Sequence, residues 1–133
     1  MGQGRIMTKS ILLDTDILVD FLRGHRKALA FVNAQSDRII LSSIVVAELY
    51  AGVKGDAEQV VLGDFISLFR VIPVDAKIAK TGGLYKRDYA KSHGVGLADA
   101  ILAATAESRN AKMKTLNTKR YPMFKGLRPA YTK

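Results

Sequence analysis

The strongest constraint on the fold is an alternation along the chain between short apolar runs and longer amphipathic segments. The apolar runs predict strands over residues 10–14, 38–41, 71–74 and 112–117, and the segments between them carry apolar residues at helical spacing. Strands that alternate with helices are typical of α/β folds with a parallel sheet. The sequence therefore predicts a layered α/β domain.

Several helix boundaries follow from local residue types. The helix after the second apolar run is expected to end near Gly52 or Gly55, and Asp56 is expected to cap the next one. Asp75 is expected to cap a third helix by accepting backbone N–H groups. The alanine-rich segment over residues 98–106 is apolar nearly all round, which indicates a buried helix.

Length and composition limit the protein class. At 133 residues and 48% hydrophobic content, the chain is predicted to form one domain, residues 1–133, with a sizeable core. Residues 1–9 are expected to be flexible, and Met1 and Met7 are alternative starts. No apolar stretch is long enough for a membrane span or a signal segment. The absence of cysteine excludes disulfides, thiolate metal sites and cysteine nucleophiles. A cytoplasmic protein without membrane contact is expected.

The formal charge of +9 is concentrated at the C-terminal end of the chain. No acidic residue follows Glu107, whereas eight of the 21 basic residues lie beyond it, and residues 128–133 are predicted to form a basic tail. A basic surface near an acidic site favours a polyanionic substrate. A solubilising or partner-binding tail is the alternative.

Three carboxylates occur at positions that a parallel sheet would bring to one edge. Asp14 ends the first apolar run, Glu48 lies on the helix after the second, and Asp99 lies near the start of the alanine-rich helix. Carboxylates gathered in one cleft repel one another, and Mg²⁺ or Mn²⁺ would relieve this because such ions prefer oxygen ligands. The alternatives are that Glu48 faces solvent and that Asp99 only interacts favourably with the dipole of its helix.

Polar residues near these acids have expected roles of their own. Asp16 is expected to begin a helix or to support the metal ligands, and Thr115 to make a cap or a phosphate contact. Asp20 is expected to face solvent or to pair with Arg23 or Lys27.

Three aromatic residues interleave with the basic residues near the C-terminal end, namely Tyr121, Phe124 and Tyr131. Such rings can stack on unpaired bases. Core packing or a dimer contact is the alternative for Tyr121 and Phe124.

Two other reaction classes are compatible with parts of the chain. Asp14-Thr15-Asp16 also resembles the DxD opening of haloacid-dehalogenase phosphatases, but Leu18 departs from that motif and the chain is short for that fold. His25 and His93 would permit metal-free RNA cleavage by acid–base catalysis. Both histidines lie in glycine-flanked basic segments that are expected to be exposed loops, so the metal-dependent interpretation is favoured.

Four segments resemble, in the right order, the successive motifs of PIN domains, especially those of VapC-type toxins. They are residues 12–20, 43–49, 97–104 and 115–122, the last followed by Gly126-Leu127. Each segment is unspecific alone, but the ordered set covers the chain from Ile11 to Leu127.

The resemblance implies a three-layer α/β/α sandwich with a central, mainly parallel sheet. It also implies a Mg²⁺- or Mn²⁺-dependent endoribonuclease, usually a homodimer, that hydrolyses RNA phosphodiester bonds and is blocked by a cognate antitoxin. Asp14, Glu48 and Asp99 match the three acids that the family places around its metal. A catalytically weakened PIN-fold module that binds RNA or a partner protein is the alternative.

The last motif departs from the family pattern. The family's fourth polar position falls on Asn117 or on Arg120, where many members carry an acid or histidine, and Asp16 and Thr115 are candidate supporting residues. An amide or a cation lowers the negative charge of the site and disfavours a second metal ion. The residues expected to contact RNA are Lys119, Arg120, Lys125 and Arg128.

Overall fold

The computed structural model describes residues 9–133, which form four strands, six α-helices and one short 3₁₀ helix. The predicted flexibility of residues 1–9 lies outside the described residues except at Lys9. The strands are β1 (Ile11–Leu13), β2 (Ile39–Ser42), β3 (Arg70–Ile72) and β4 (Lys112–Lys114). The helices are α1 (Thr15–Leu22), α2 (Arg26–Ala34), α3 (Ser43–Ala51), α4 (Asp56–Ile66), α5 (Ala76–His93) and α6 (Leu97–Ser108), and the 3₁₀ helix is Thr118–Arg120.

The four strands form one parallel sheet in the order β3-β2-β1-β4. β1 lies between β2 and β4, with Ile11 in register with both Ile39 and Lys112, and all three of its residues are buried. The chain therefore leaves β1 towards one side for β2 and reaches β4 on the other. In open parallel sheets ligands bind at such a reversal, beyond the carboxyl ends of the strands. The predicted α/β/α class is confirmed.

Helix α6 is buried along most of its length, as its composition predicted. Helix α5 packs directly against it at Gly82. A β-carbon added to Gly82 would lie 2.8 Å from Cγ1 and 2.9 Å from Cα of Ile101, which is closer than real β-carbons approach other atoms. Glycine thus permits the two helices to meet backbone to backbone, and this contact holds the helix that carries Asp99.

Most of the predicted local signals are confirmed. α3 ends at Ala51 with Gly52 at its C-cap. The predicted cap at Asp56 is wrong by one residue, because Gly55 is the N-cap of α4 and Asp56 is its first residue. The Asp75 carboxylate accepts the N–H of Ile78 at 2.8 Å as the N-cap of α5. Helix α2 was not anticipated from the sequence.

The C-terminal residues return to α1, and this changes the environment of Asp20. The expectation that Asp20 faces solvent or pairs with Arg23 or Lys27 is wrong, because the residue is only 7% exposed. Its Oδ2 accepts the Tyr131 hydroxyl at 2.8 Å, and its Oδ1 accepts the Lys133 ammonium at 3.0 Å. Lys27 instead donates to the carbonyl of Thr132.

None of the helices within residues 9–133 is both long and apolar enough to cross a membrane.

Candidate metal centre

Asp14 is fixed by three hydrogen bonds at the carboxyl end of β1. It is the N-cap of α1, and its Oδ1 accepts the backbone N–H of Thr15 at 2.8 Å. Its Oδ2 accepts the hydroxyls of Thr115 at 2.8 Å and Tyr121 at 2.7 Å. The carboxylate is 2% exposed, so its position is set by protein donors rather than by solvent.

Asp99 lies in the first turn of α6, with its side chain 20% exposed. The Tyr121 hydroxyl is 3.3 Å from its Oδ1, and Arg120 Nε is 4.0 Å from its Oδ2. Burial and the charge of Asp14 raise the pKa of Asp99, and Glu48 adds to the rise, whereas Arg120 and Tyr121 oppose it. One tyrosine hydroxyl therefore joins Asp14 to Asp99.

Glu48 lies on the exposed side of α3 and reaches the same cluster through α1. Its Oε1 accepts the hydroxyl of Thr15, the residue after Asp14, at 2.6 Å. Its charge also contributes to the raised pKa of Asp99. The structure thus brings the three predicted acids into one neighbourhood, with Asp14 and Asp99 more tightly linked than Glu48.

Asp16 connects α1 to the segment after β4. Its Oδ1 accepts the N–H of Ile17 at 2.8 Å, and its Oδ2 accepts the N–H of Leu116 at 3.0 Å. Thr115 lies 3.3 Å from the same oxygen while it also donates to Asp14. Burial, followed by the charge of Asp14, raises the pKa of Asp16. Asp16 thus lies in the first turn of α1, rather than at its cap, and supports the cluster through Thr115 and Leu116.

The remaining predicted site residues lie around this cluster at the surface. The backbone N–H of Asn117 donates to the Thr115 hydroxyl at 3.1 Å, and its side chain is exposed. Arg120 is the basic residue that reaches the acids, through Asp99. The other predicted RNA contacts are exposed, namely Lys119, Lys125 and Arg128.

Tyr121 is the site residue whose role the sequence did not reveal. Its side chain is fully buried, and its ring stacks on Phe124 with centroids 6.4 Å apart. Burial and the charges of Asp14 and Asp99 raise its pKa far above the ordinary value, so its hydroxyl remains a proton donor. The core-packing alternative is confirmed for the ring. The only available signal was an aromatic residue with a polar tip inside the last motif.

The two histidines lie in separate surroundings. His25 precedes α2 and stacks on Tyr131 with ring centroids 5.7 Å apart, so it is less exposed than predicted. His93 ends α5, where Nδ1 is 2.7 Å from the hydroxyl of Ser92. They share no partner within residues 9–133, which gives no support to a histidine pair acting on one substrate.

The donor chemistry of the cluster fits a hard divalent cation. Its ligand atoms are carboxylate oxygens, the pKa values of Asp16 and Asp99 are both raised by burial and by Asp14, and Arg120 is the nearest cation. These features indicate negative charge that the protein itself only partly offsets. Within residues 9–133, however, no three Asp, Glu, His or Cys side chains already surround a common point that would hold an ion.

A largely apolar groove of about 420 Å³ begins beside Glu48 and runs between α1, α3 and α4. Its walls include Val19, Leu22, Val61 and Leu62, and the side chains of Leu22 and Val61 are 41% and 61% exposed. Exposed apolar side chains along a groove are typical of a surface that receives another chain.

Comparisons with known proteins agree with this architecture. The PIN domain pattern matches residues 11–121. Ribonuclease VapC10 of Mycobacterium tuberculosis is 37% identical over 91% of this chain and 92% of its own length, and ribonuclease VapC19 of the same organism is 39% identical over 90% and 98%. A solved toxin-antitoxin complex from Klebsiella pneumoniae superposes with a TM-score of 0.80 at 28% identity, over 92% of this chain and 98% of that one. The chain belongs to the PIN-domain family.

Proposed function

We propose that this PIN-domain protein is the ribonuclease toxin of a toxin–antitoxin pair and that it hydrolyses RNA phosphodiester bonds at the Asp14–Asp99 cluster. Its similarity to two proteins named ribonuclease, over about nine-tenths of each chain, supports the activity. The observation that carries the assignment of the site is the single tyrosine hydroxyl that contacts both carboxylates at the reversal of the sheet.

Asp14 and Asp99 would hold Mg²⁺ or Mn²⁺ together, with Glu48 completing the set directly or through water. A divalent ion in such a site offsets charge on the phosphate and makes water a better nucleophile. Glu48 is the exposed member, and its one protein bond, to the Thr15 hydroxyl, can be exchanged for water. Glu48 is therefore the side chain best placed to orient the attacking water.

The reaction is an in-line displacement at phosphorus. The oxygen of water bonds to phosphorus and its proton passes to Glu48, while the bond from phosphorus to the O3′ atom breaks. The leaving oxygen takes up a proton from solvent. The products are a 5′-phosphate and a 3′-hydroxyl.

The exposed basic residues after β4 would hold the RNA backbone beside the acids. Lys119 and Arg120 belong to the 3₁₀ helix that directly precedes Tyr121, and Lys125 and Arg128 follow it. Phosphate contacts of this kind contribute affinity without sequence preference, and they weaken as salt rises.

The cognate antitoxin would occupy the apolar groove that ends at Glu48. The match to a solved toxin-antitoxin complex supports such a partner. A segment seated between α1, α3 and α4 would cover Glu48 and exclude RNA. A homodimer and a cytoplasmic location complete the proposal.

Cleavage of RNA by the purified chain tests this function. Cleavage is expected with Mg²⁺ or Mn²⁺ and should stop with EDTA, and Asp14→Asn should be inactive although folded. Asp37→Asn is the matched control, because Asp37 is exposed in the loop before β2. Cleavage that persists in EDTA would contradict the proposal and return attention to His25 and His93.

The second candidate function is a PIN-fold module that binds RNA or a partner without cleaving it. The observation in its favour is that, among residues 9–133, three metal-binding side chains are not already assembled around one point. Titration calorimetry separates the two candidates. An enzyme should bind Mn²⁺ in a manner that Asp99→Asn abolishes, whereas the module should show no such binding.

A further inference from the structure

Arg120 ends the 3₁₀ helix that follows β4, and its Nε lies 4.0 Å from Oδ2 of Asp99. Within residues 9–133, no other ion pair involves Asp14, Asp16, Glu48 or Asp99. The Arg120 guanidinium is therefore the one cation within residues 9–133 that pairs with the carboxylate cluster.

This contact is too loose to be a purely structural ion pair. At 4.0 Å the two groups form no direct hydrogen bond, and the Arg120 side chain is 53% exposed. Its guanidinium donates no hydrogen bond to any residue from 9 to 133, so its five N–H donors remain for another acceptor. By contrast, the Lys133 ammonium lies 3.0 Å from Asp20 and is hydrogen-bonded to it.

We propose that Arg120 contacts the scissile phosphate directly and acts as the second cation of the reaction centre, so that the protein uses one divalent ion. This inference rests on the proposed ribonuclease function. A guanidinium presents paired N–H donors that match two phosphate oxygens. Placed beside Asp99, it would stabilise the negative charge that develops on the phosphate during displacement.

The same charge opposes a second metal ion. Like charges separated by about 4 Å repel strongly where water is partly excluded. On this side of Asp99 the neighbouring side chains are the Arg120 cation and the neutral Tyr121 hydroxyl, and neither supplies an additional carboxylate. We therefore expect the centre to hold one ion, with the Arg120 guanidinium in place of a second.

Counting bound ions tests the inference without reference to activity. Calorimetric titration should give one Mn²⁺ per unchanged chain, and Arg120→Glu should give two, because the substitution exchanges the cation for a ligand. Two ions on the unchanged chain would overturn the inference and leave the ribonuclease function intact. If the unchanged chain binds no Mn²⁺ that depends on Asp99, the proposed function fails and this inference fails with it.

Kinetics distinguish a catalytic arginine from an electrostatic bystander. Arg120→Gln should lower kcat by about 100- to 1000-fold, as loss of one transition-state donor does in other enzymes, with a smaller change in KM. Arg120→Lys should recover part of kcat, because a point charge replaces the paired donors. The matched control is Arg109→Gln, which removes an exposed arginine at the opposite end of α6 and should leave kcat and KM unchanged.

All these side chains are exposed, so thermal unfolding should show that each variant folds. Equal kcat for Arg120→Gln and Arg109→Gln would overturn the catalytic assignment. A change in KM alone would also overturn it and would make Arg120 a contact for substrate binding only.

Discussion

Helix α1 carries two buried aspartates, Asp14 at its N-cap and Asp20 in its last turn, and their surroundings differ in charge. Each accepts a hydrogen bond from a tyrosine hydroxyl, Tyr121 in one case and Tyr131 in the other. Asp20 also receives the Lys133 ammonium. Asp14 has further acids as neighbours instead.

This difference in charge shifts the pKa of Asp20 in one direction and the pKa values of the acids around Asp14 in the other. Burial favours the neutral form of Asp20, but the bonds from Lys133 and Tyr131 outweigh it and hold its pKa below the ordinary value. Around Asp14 the balance is reversed, because burial and the charge of Asp14 raise the pKa values of Asp16 and Asp99. The Lys133 ammonium thus offsets the charge of Asp20 within the fold, whereas the charge of the Asp14 cluster is offset only in part, by Arg120, which is compatible with the divalent ion proposed above.

The largest expected effect comes from exchanging each aspartate for asparagine. Asp14→Asn should lower RNA cleavage by more than the roughly 100-fold that loss of an outer hydrogen bond to a metal ligand costs. Asp20→Asn should retain cleavage but lower the free energy of unfolding by about 1–2 kcal/mol, since Lys133 is half exposed and its bond is partly screened. Urea unfolding and RNA cleavage by the same preparations check this. Equal losses of RNA cleavage in Asp14→Asn and Asp20→Asn would contradict the distinction between the two aspartates.

The tyrosines that donate to these two aspartates allow a second comparison, in which the expected effects are smaller. Tyr121→Phe keeps the buried ring but removes the hydroxyl between Asp14 and Asp99, so Mn²⁺ affinity should fall by about 10-fold. Tyr131→Phe should leave Mn²⁺ affinity unchanged and lower stability by about 1 kcal/mol. Titration calorimetry and thermal unfolding separate the outcomes. Unaltered Mn²⁺ binding by Tyr121→Phe would mean that the hydroxyl does not position the ligands.

The smallest expected effect is on the pH dependence of stability, to which Asp99 and Asp20 should contribute with opposite signs. Because the pKa of Asp99 is raised, its ionised form costs stability above that pKa, and the cost disappears as the pH falls through it towards 3.8. Asp99→Asn should therefore be more stable than the unchanged chain near neutral pH, with a difference that shrinks on acidification. The lowered pKa of Asp20 instead contributes stability above 3.8 that is lost as the pH falls further.

Urea unfolding from pH 7 down to pH 3, with a chelator present, measures both differences. For Asp20→Asn the unchanged chain should be the more stable one at neutral pH, and the difference should begin to shrink as the pH falls below 3.8. Differences of the same sign for Asp99→Asn and Asp20→Asn would contradict the charge balance inferred for the two places.

The sequence was informative where periodicity and strand ends decide position. The apolar run before Asp14 fixed the end of β1, and the alanine-rich pattern around Asp99 predicted a buried helix, so both acids were expected at the sheet edge. The cap at Asp75 followed from local residue preferences. These features depend on residues that are neighbours in the chain.

Patterns among neighbouring residues could not predict the hydrogen-bond donors that distinguish Asp14 from Asp20. Tyr121 is 107 residues from Asp14, and Tyr131 is 111 residues from Asp20. Periodicity indicates that a ring is buried, but it does not indicate where the hydroxyl points. The same limit explains why Asp20 was expected at the surface, because the segment that covers it lies at the far end of the chain.

The close approach of Gly82 to Ile101 limits which substitutions position 82 can accept. Any side chain at position 82 would push α5 from α6 and thereby shift the turn that bears Asp99. A genetic selection for loss of toxicity would accordingly recover changes at Gly82 together with changes at the acids. We therefore expect position 82 to tolerate substitution as poorly as the acids do, although Gly82 is not one of the residues proposed to contact RNA.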